Sequence, residues 1–65
     1  MVISGTIHYK DYKINFEVKQ NKENINEENV NNEEIKQPLI HAINQKYRVK
    51  YPQSSTIDSL RVSTI

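Results

Sequence analysis

The chain contains no cysteine and no tryptophan, and its 65 residues include one glycine and two prolines. Without cysteine the chain can form neither a disulfide nor a thiolate metal site. A domain of this size buries only about 60% of the surface of its unfolded chain and is marginally stable alone. Stability must come from close packing or self-association, so a homodimer is an expected state.

Long apolar runs are also missing. No stretch approaches the roughly 20 apolar residues that cross a bilayer, and the first residues lack the basic and apolar regions of a signal peptide. The lack of cysteine is typical of a reducing compartment, and the abundance of asparagine, lysine, isoleucine and glutamate is typical of AT-rich genes of bacteria and phages. We expect a soluble protein of the bacterial cytoplasm with no membrane partner.

Catalytic motifs are absent as well. The sequence contains no P-loop, no dinucleotide-binding glycine pattern, no H-E-x-x-H and no nucleophile elbow. Its carboxylates cluster in a polar segment, where full hydration does not favour general acid–base catalysis. His8 and His41 are too few to hold a metal alone, and we expect both on the surface. The sequence predicts a protein that is not an enzyme and that has no cofactor and no metal.

Two strands are predicted by the alternation of apolar and polar residues over residues 2–19. Folding the chain about Lys10 and Asp11 pairs the apolar residues on one face, as Tyr9 with Tyr12, Ile7 with Ile14, Gly5 with Phe16 and Ile3 with Val18. The other face is almost wholly polar, as in an antiparallel hairpin with one solvated side. Lys-Asp is not a favoured two-residue turn, so a four-residue loop is an alternative. Gly5 leaves room for the Phe16 ring or marks a bulge.

The middle of the chain separates its charges. Residues 20–34 carry five glutamates and one lysine, whereas residues 35–51 carry four basic residues and no acid. Two solvated surfaces or a basic patch for an acidic partner would both produce this pattern. Residues 20–32 are rich in asparagine, and we expect a flexible acidic loop because Ile25 and Val30 are its only apolar residues.

A helix is predicted over about residues 33–50. Asn31 and Glu34 have the spacing of a capping box, and Pro38 restricts the regular helix to a start near Ile35. Pro52 cannot continue the helix. One face carries the apolar stripe, which consists of Ile35, Leu39, Ala42 or Ile43, and Tyr47.

A third strand over about residues 59–64 completes the prediction, with Ile57 under the helix end. The fold class is α+β: a two-layer ββαβ domain whose antiparallel three-stranded sheet has the order 2-1-3, with the helix packed on the face of Ile3 and Phe16. Residues 1–65 then form a single small domain. The predicted core consists of Ile3, Ile7, Ile14, Phe16, Val18, Ile35, Leu39, Ile43, Leu60 and Val62.

The candidate partner-binding residues lie on the exposed helix face and in the segment that follows it, where basic residues alternate with aromatic or apolar ones. They are Gln37, His41, Asn44, Gln45, Lys46, Arg48, Lys50 and Tyr51. With no pocket expected in so small a domain, the sequence favours a non-enzymatic protein-binding module. By analogy of size and composition it is a phage or mobile-element accessory protein that inhibits or modulates a host protein complex.

Two alternatives remain open. The first is a nucleic-acid-binding or regulatory protein that uses the basic helix over residues 36–51, with lysine and arginine on phosphates and tyrosines stacked on bases. A formal net charge of +1 and the glutamates before the helix argue against it. The second is a structural protomer that assembles with itself.

Overall fold

The hairpin has the register that the alternation predicts. In the computed structural model, which describes residues 1–21 and 25–63, β1 (Val2–Tyr9) and β2 (Tyr12–Lys19) are antiparallel and all eight pairs match the prediction. The chain reverses in two residues rather than four. Lys10 adopts a φ of 54° in this turn, a conformation that is less costly for glycine than for lysine.

The three strands and one helix form the predicted α+β arrangement. β3 (Thr56–Ser63) lies antiparallel beside β1, so the sheet order is β2-β1-β3. The helix, α1 (Glu33–Tyr47), covers the sheet face that carries Ile3 and Phe16. It runs antiparallel to β2, because its early residue Pro38 contacts Gln20, just after β2, and Tyr47 in its last turn contacts Glu17, three residues earlier. The carboxyl end of α1 therefore lies near the hairpin turn.

The core lies between α1 and the sheet. Seven predicted members are buried: Ile3, Ile7, Phe16, Val18, Leu39, Ile43 and Leu60. Ile14 and Ile35 are only partly buried and pack against them. The prediction is wrong for Val62, which is 41% exposed. It pairs with Ile3 and so faces the helix side of the sheet, but β3 is an edge strand and α1 packs mainly over β2.

The acidic segment contributes two side chains to the core. Ile25 and Val30 are 4% and 2% exposed and join the buried cluster together with Ile40, which lies beside the predicted helix stripe. Residues 22–24 lie outside the described residues. The prediction took two apolar side chains to be too few to order the segment. Both are buried in the core that the sheet and the helix form.

Asparagine side chains supply the local order of this segment. The Asn26 side-chain oxygen accepts hydrogen bonds from the backbone N–H groups of Glu28 and Asn29, at 2.9 and 3.1 Å. The Asn29 side-chain oxygen accepts one from the Asn26 N–H at 2.8 Å. Such bonds let short polar side chains take the place of the backbone hydrogen bonds of a helix or sheet. Residues 26–30 therefore form a turn that holds Val30 against the core.

The helix begins at Glu33, as the predicted range of about 33–50 has it, so Pro38 does not delay its start to Ile35, and it ends earlier than predicted. Its N-cap is Asn32, whose side-chain oxygen accepts a hydrogen bond from the Glu34 N–H at 3.1 Å, so the predicted capping residue Asn31 is one position too early. Pro38 lies inside the helix without ending it. The last helical residue is Tyr47 rather than residue 50, because Arg48 adopts a left-handed conformation.

The third strand begins at Thr56, three residues before the predicted start, and contains a β-bulge. Ser4 pairs with Arg61 and Thr6 pairs with Asp58, so β3 has one extra residue at this point. Ser59 adopts a φ of 52° there. The predicted strand residue 64 lies outside the described residues.

Gly5 lies opposite the bulge and under the Phe16 ring. A Cβ at this position would lie 3.0 Å from the backbone oxygen of Asp58 and 3.2 Å from Cζ of Phe16. Both contacts are tighter than ordinary van der Waals packing. The single glycine of the chain thus allows the bulged backbone and the aromatic ring to approach β1 from two sides.

Candidate functional site

The end of α1 is organised by Asn44. Its backbone oxygen accepts hydrogen bonds from the N–H groups of Arg48 and Val49, which closes the helix. Its side chain binds both backbone groups of Tyr51: Oδ1 accepts from the N–H at 2.8 Å and Nδ2 donates to the C=O at 3.0 Å. Because one residue holds both the cap and the chain three residues beyond it, the segment 48–51 has a defined path.

An open groove of about 770 Å³ follows from this path. We call it the helix-end groove; it is lined by His41, Asn44, Gln45, Arg48, Val49, Lys50, Tyr51 and Pro52. Six of the eight predicted site residues lie here, so the structure brings most of the candidate set together. Pro52 is held at the rim because its oxygen accepts hydrogen bonds from the N–H and hydroxyl of Ser55, which is fully buried.

A second, smaller cavity of about 260 Å³ adjoins the groove. We call it the tyrosine pocket; it is lined by Tyr9, Tyr12, Val49, Lys50 and Tyr51. Tyr9 and Tyr12 are the last pair of the hairpin and lie on its helix-facing side. Tyr12 is 67% and Val49 36% exposed. The groove and the pocket share residues 49–51, and together they form one continuous surface, which we call the turn-end surface.

Two predicted residues lie elsewhere. Gln37 is exposed toward the start of α1, where its side-chain nitrogen is 3.4 Å from Glu33 Oε2. Lys46 lies against the sheet: its ammonium donates to the backbone oxygen of Glu17 and lies 5.6 Å from the centroid of the Tyr47 ring. Helical spacing predicted Gln37 as part of the site, and the alternation of basic with aromatic residues predicted Lys46. The Lys46 side chain instead lies against β2, away from the helix-end groove.

The charges of the molecule are separated along α1. Glu33 and Glu34 lie in the first turn and Lys46 in the last, with Arg48 and Lys50 beyond it. Lys10 joins this basic end from the hairpin turn, where its ammonium lies 5.3 Å from the Tyr9 ring centroid. A helix of 15 residues is roughly 22 Å long, more than twice the Debye length at physiological ionic strength. Glu33 and Glu34 therefore barely affect the potential at the turn-end surface, where the nearest acid in sequence is Asp11, beside Lys10 in the hairpin turn.

Arg48, in this surface, and Lys10, next to it in the hairpin turn, have costly backbone conformations. Lys10 and Arg48 both have a φ of 54°, in the left-handed region that glycine occupies without penalty. A side chain there costs about 1 kcal/mol relative to glycine. The only other non-glycine residue with positive φ among those described is Ser59, in the bulge.

Four further residues belong to the surface although the sequence did not indicate them: Tyr9, Tyr12, Val49 and Pro52. The tyrosines looked like the last apolar pair of the hairpin and Val49 like part of the helix. The predicted topology contained the missing signal, since a helix that runs antiparallel to β2 must end beside the hairpin turn. Tyr9 and Tyr12 had to lie near residues 47–51.

No protein-family model, curated protein or solved structure matches this chain. Over residues 1–21 and 25–63, no cluster of three histidine, aspartate or glutamate side chains could hold a metal ion. In the same residues no helix is long and apolar enough to span a membrane. The arrangement at the turn-end surface therefore has to be interpreted from its own geometry.

Proposed function

We propose that this protein is a non-enzymatic binding module that engages a partner protein through the turn-end surface. The observation that carries the proposal is the convergence of three tyrosines with Arg48 and Lys50 around the helix-end groove and the tyrosine pocket. Tyrosine and arginine are enriched at protein interfaces, because they supply large contact areas together with hydrogen bonds.

The backbone of Lys10 and Arg48 supports the same proposal. Glycine at either position would relieve the left-handed conformation, yet the chain has a basic side chain at both. Local strain of this kind is concentrated at binding and catalytic sites, where the side chain has a use that offsets its conformational cost.

The charge of the surface indicates an acidic partner. Lys10, Arg48 and Lys50 lie around the aromatic residues, while Glu33 and Glu34 lie in the first turn of α1, at the far end of the helix. Complementary charge speeds association and sets orientation. An inhibitor or modulator of a host protein complex, of the kind encoded by phages and mobile elements, is the form of this function that chain size and composition favour.

An affinity pull-down from a lysate of the source cell tests the proposal. The tagged chain is compared with the variants Tyr12→Ser and Lys50→Glu, and mass spectrometry reads the retained proteins with and without nuclease. We expect one protein at near-stoichiometric amounts that survives nuclease and is lost with both variants. Lys19→Glu is the matched control, because Lys19 is exposed at the opposite end of the hairpin. Equal retention by all variants would rule out this surface.

A single-stranded nucleic acid is the second candidate partner. The specific observation in its favour is the tyrosine pocket with Lys10 and Lys50 beside it, since bases stack on aromatic rings while basic residues contact phosphates. Glu33 and Glu34 lie at the other end of α1, so their repulsion of phosphate does not argue against nucleic acid at this surface. In that case retention disappears with nuclease, and affinity falls steeply as salt increases.

A further inference from the structure

The two edges of the sheet differ in how they are protected. At the outer edge of β2, the Glu17 N–H donates to the Tyr47 hydroxyl at 3.0 Å and the Glu17 oxygen accepts from Lys46. The last turn of α1 thus occupies the outward backbone groups of Glu17, two of those that another strand would need. No described residue pairs with the outer edge of β3. An unprotected edge strand is a template for strand addition.

The bulge changes which residues of β3 share a face. Asp58 pairs with Thr6 and Arg61 pairs with Ser4, so both lie on the open, polar face of the sheet although they are three positions apart. Ile57 pairs with Ile7 and Val62 with Ile3, so both lie on the helix-facing side. In a regular strand, residues three apart point to opposite faces. The extra residue at the bulge is the reason why Asp58 and Arg61 point to the same face.

The bulge also gives Ile57 and Val62 the same backbone orientation. The Glu17 N–H points away from β1, so Glu17 and Ser4 form a non-hydrogen-bonded pair. The backbone N–H and C=O of Ser4 therefore point to the other neighbour, Arg61 of β3. By the same alternation the backbone of Asp58 points to Thr6. Ile57 and Val62 therefore direct their N–H and C=O groups outward, to the open edge.

We propose that β3 pairs antiparallel with β3 of a second copy of this chain, about a two-fold axis between residues 59 and 60. In that register Ile57 lies opposite Val62 of the second copy as a hydrogen-bonded pair, and Asp58 lies opposite Arg61 of the second copy on the open face. Each pair occurs twice by symmetry. The result is a continuous six-stranded sheet with two apolar and two oppositely charged cross-strand pairs.

The pairing accounts for two features of the isolated chain. Val62 is 41% exposed on the helix-facing side, and Ile57 of the second copy would cover it. Within the described part of the chain, neither Asp58 nor Arg61 forms a side-chain ion pair or hydrogen bond. A self-complementary charge pattern at an open edge favours a second copy over an unrelated strand.

Exchange of the charges tests the pairing. Sedimentation velocity from about 10 µM to about 1 mM, the range suited to a weak interface, is expected to show the wild-type chain shifting from monomer to dimer. D58R and R61D each place like charges opposite one another at both symmetric pairs, so each is expected to dimerise roughly tenfold more weakly. An equimolar mixture of D58R and R61D restores both opposite-charge pairs and should form a heterodimer.

Matched controls lie on the same sheet face at the other edge. E17R and K13E make the same charge changes on β2 and should dimerise as the wild type does. V62K places a lysine at the open edge without affecting a buried residue and should leave a folded monomer by circular dichroism. A wild-type chain that stays monomeric over the whole range overturns the proposal, and so does a dimer that D58R and R61D leave intact or a mixture that fails to associate.

Discussion

The backbone N–H of Glu17 donates a hydrogen bond to the hydroxyl of Tyr47 over 3.0 Å, which ties the last turn of α1 to the edge strand β2. Lys46 binds the oxygen of the same residue. The contact has two consequences: it blocks the outer edge of β2 at Glu17, and it fixes the last turn of α1 on the sheet, so that the following residues 49–51 lie beside Tyr9 and Tyr12.

Removal of the Tyr47 hydroxyl tests this contact. Tyr47→Phe keeps the ring but leaves the Glu17 N–H to water, so we expect the free energy of unfolding to fall by about 1 kcal/mol. Urea unfolding followed by circular dichroism measures it. Tyr12→Phe is the control, since Tyr12 is 67% exposed, and its effect should be close to zero. Equal losses in the two variants would show that the Tyr47 hydroxyl contributes nothing specific.

Gly5→Ala tests the close approach at the bulge. The new methyl group would lie 3.0 Å from the Asp58 backbone oxygen and 3.2 Å from the Phe16 ring, so the ring and the bulged strand must both shift. We expect a loss of roughly 1–3 kcal/mol of stability. Ser4→Ala, on the open face of the same strand, should change it by less than about 0.5 kcal/mol. A neutral Gly5→Ala would mean that β3 moves away from β1 without cost.

Arg48→Gly separates stability from binding. Glycine is the favoured residue for a left-handed helix end, so the variant should be about 1 kcal/mol more stable than the wild type. The same variant loses the guanidinium group at the helix-end groove and should retain less of the partner in the pull-down.

Lys50→Gly is the control for that pair of effects. Lys50 is not among the described residues with positive φ, so glycine there removes a basic side chain without relieving strain. We expect weaker binding and no gain in melting temperature. A rise in the melting temperature of Lys50→Gly equal to that of Arg48→Gly would contradict the explanation by backbone conformation.

Val30→Ala tests the ordered acidic segment. Val30 is 2% exposed and belongs to the core cluster, so we expect the free energy of unfolding to fall by about 2 kcal/mol. Asn31→Ala, at the exposed neighbouring position, should have a much smaller effect. If the two variants unfolded at the same urea concentration, the segment would contribute nothing to the core.

Six of the eight candidate site residues were predictable from two local patterns: helical spacing groups His41, Asn44, Gln45 and Arg48, and the alternation of basic with aromatic residues indicated Lys50 and Tyr51. Lys46 was misplaced because its side chain binds the backbone oxygen of Glu17, 29 residues away in sequence, on the other flank of the helix. Tyr9 and Tyr12 were missed because their place in the site depends on where α1 ends relative to the hairpin, which is a tertiary relationship.

The sequence by itself determined the hairpin register, the strand order and the start of the helix, because each follows from local periodicity, capping and chain reversal. Only the tertiary structure decided that Ile25 and Val30 are buried, that α1 ends at Tyr47 and that β3 bulges opposite Gly5. These features depend on contacts between segments far apart in the chain. The local sequence of a polar segment or an edge strand has too little conformational preference to specify how it packs. Its packing therefore depends on the tertiary surface that it contacts.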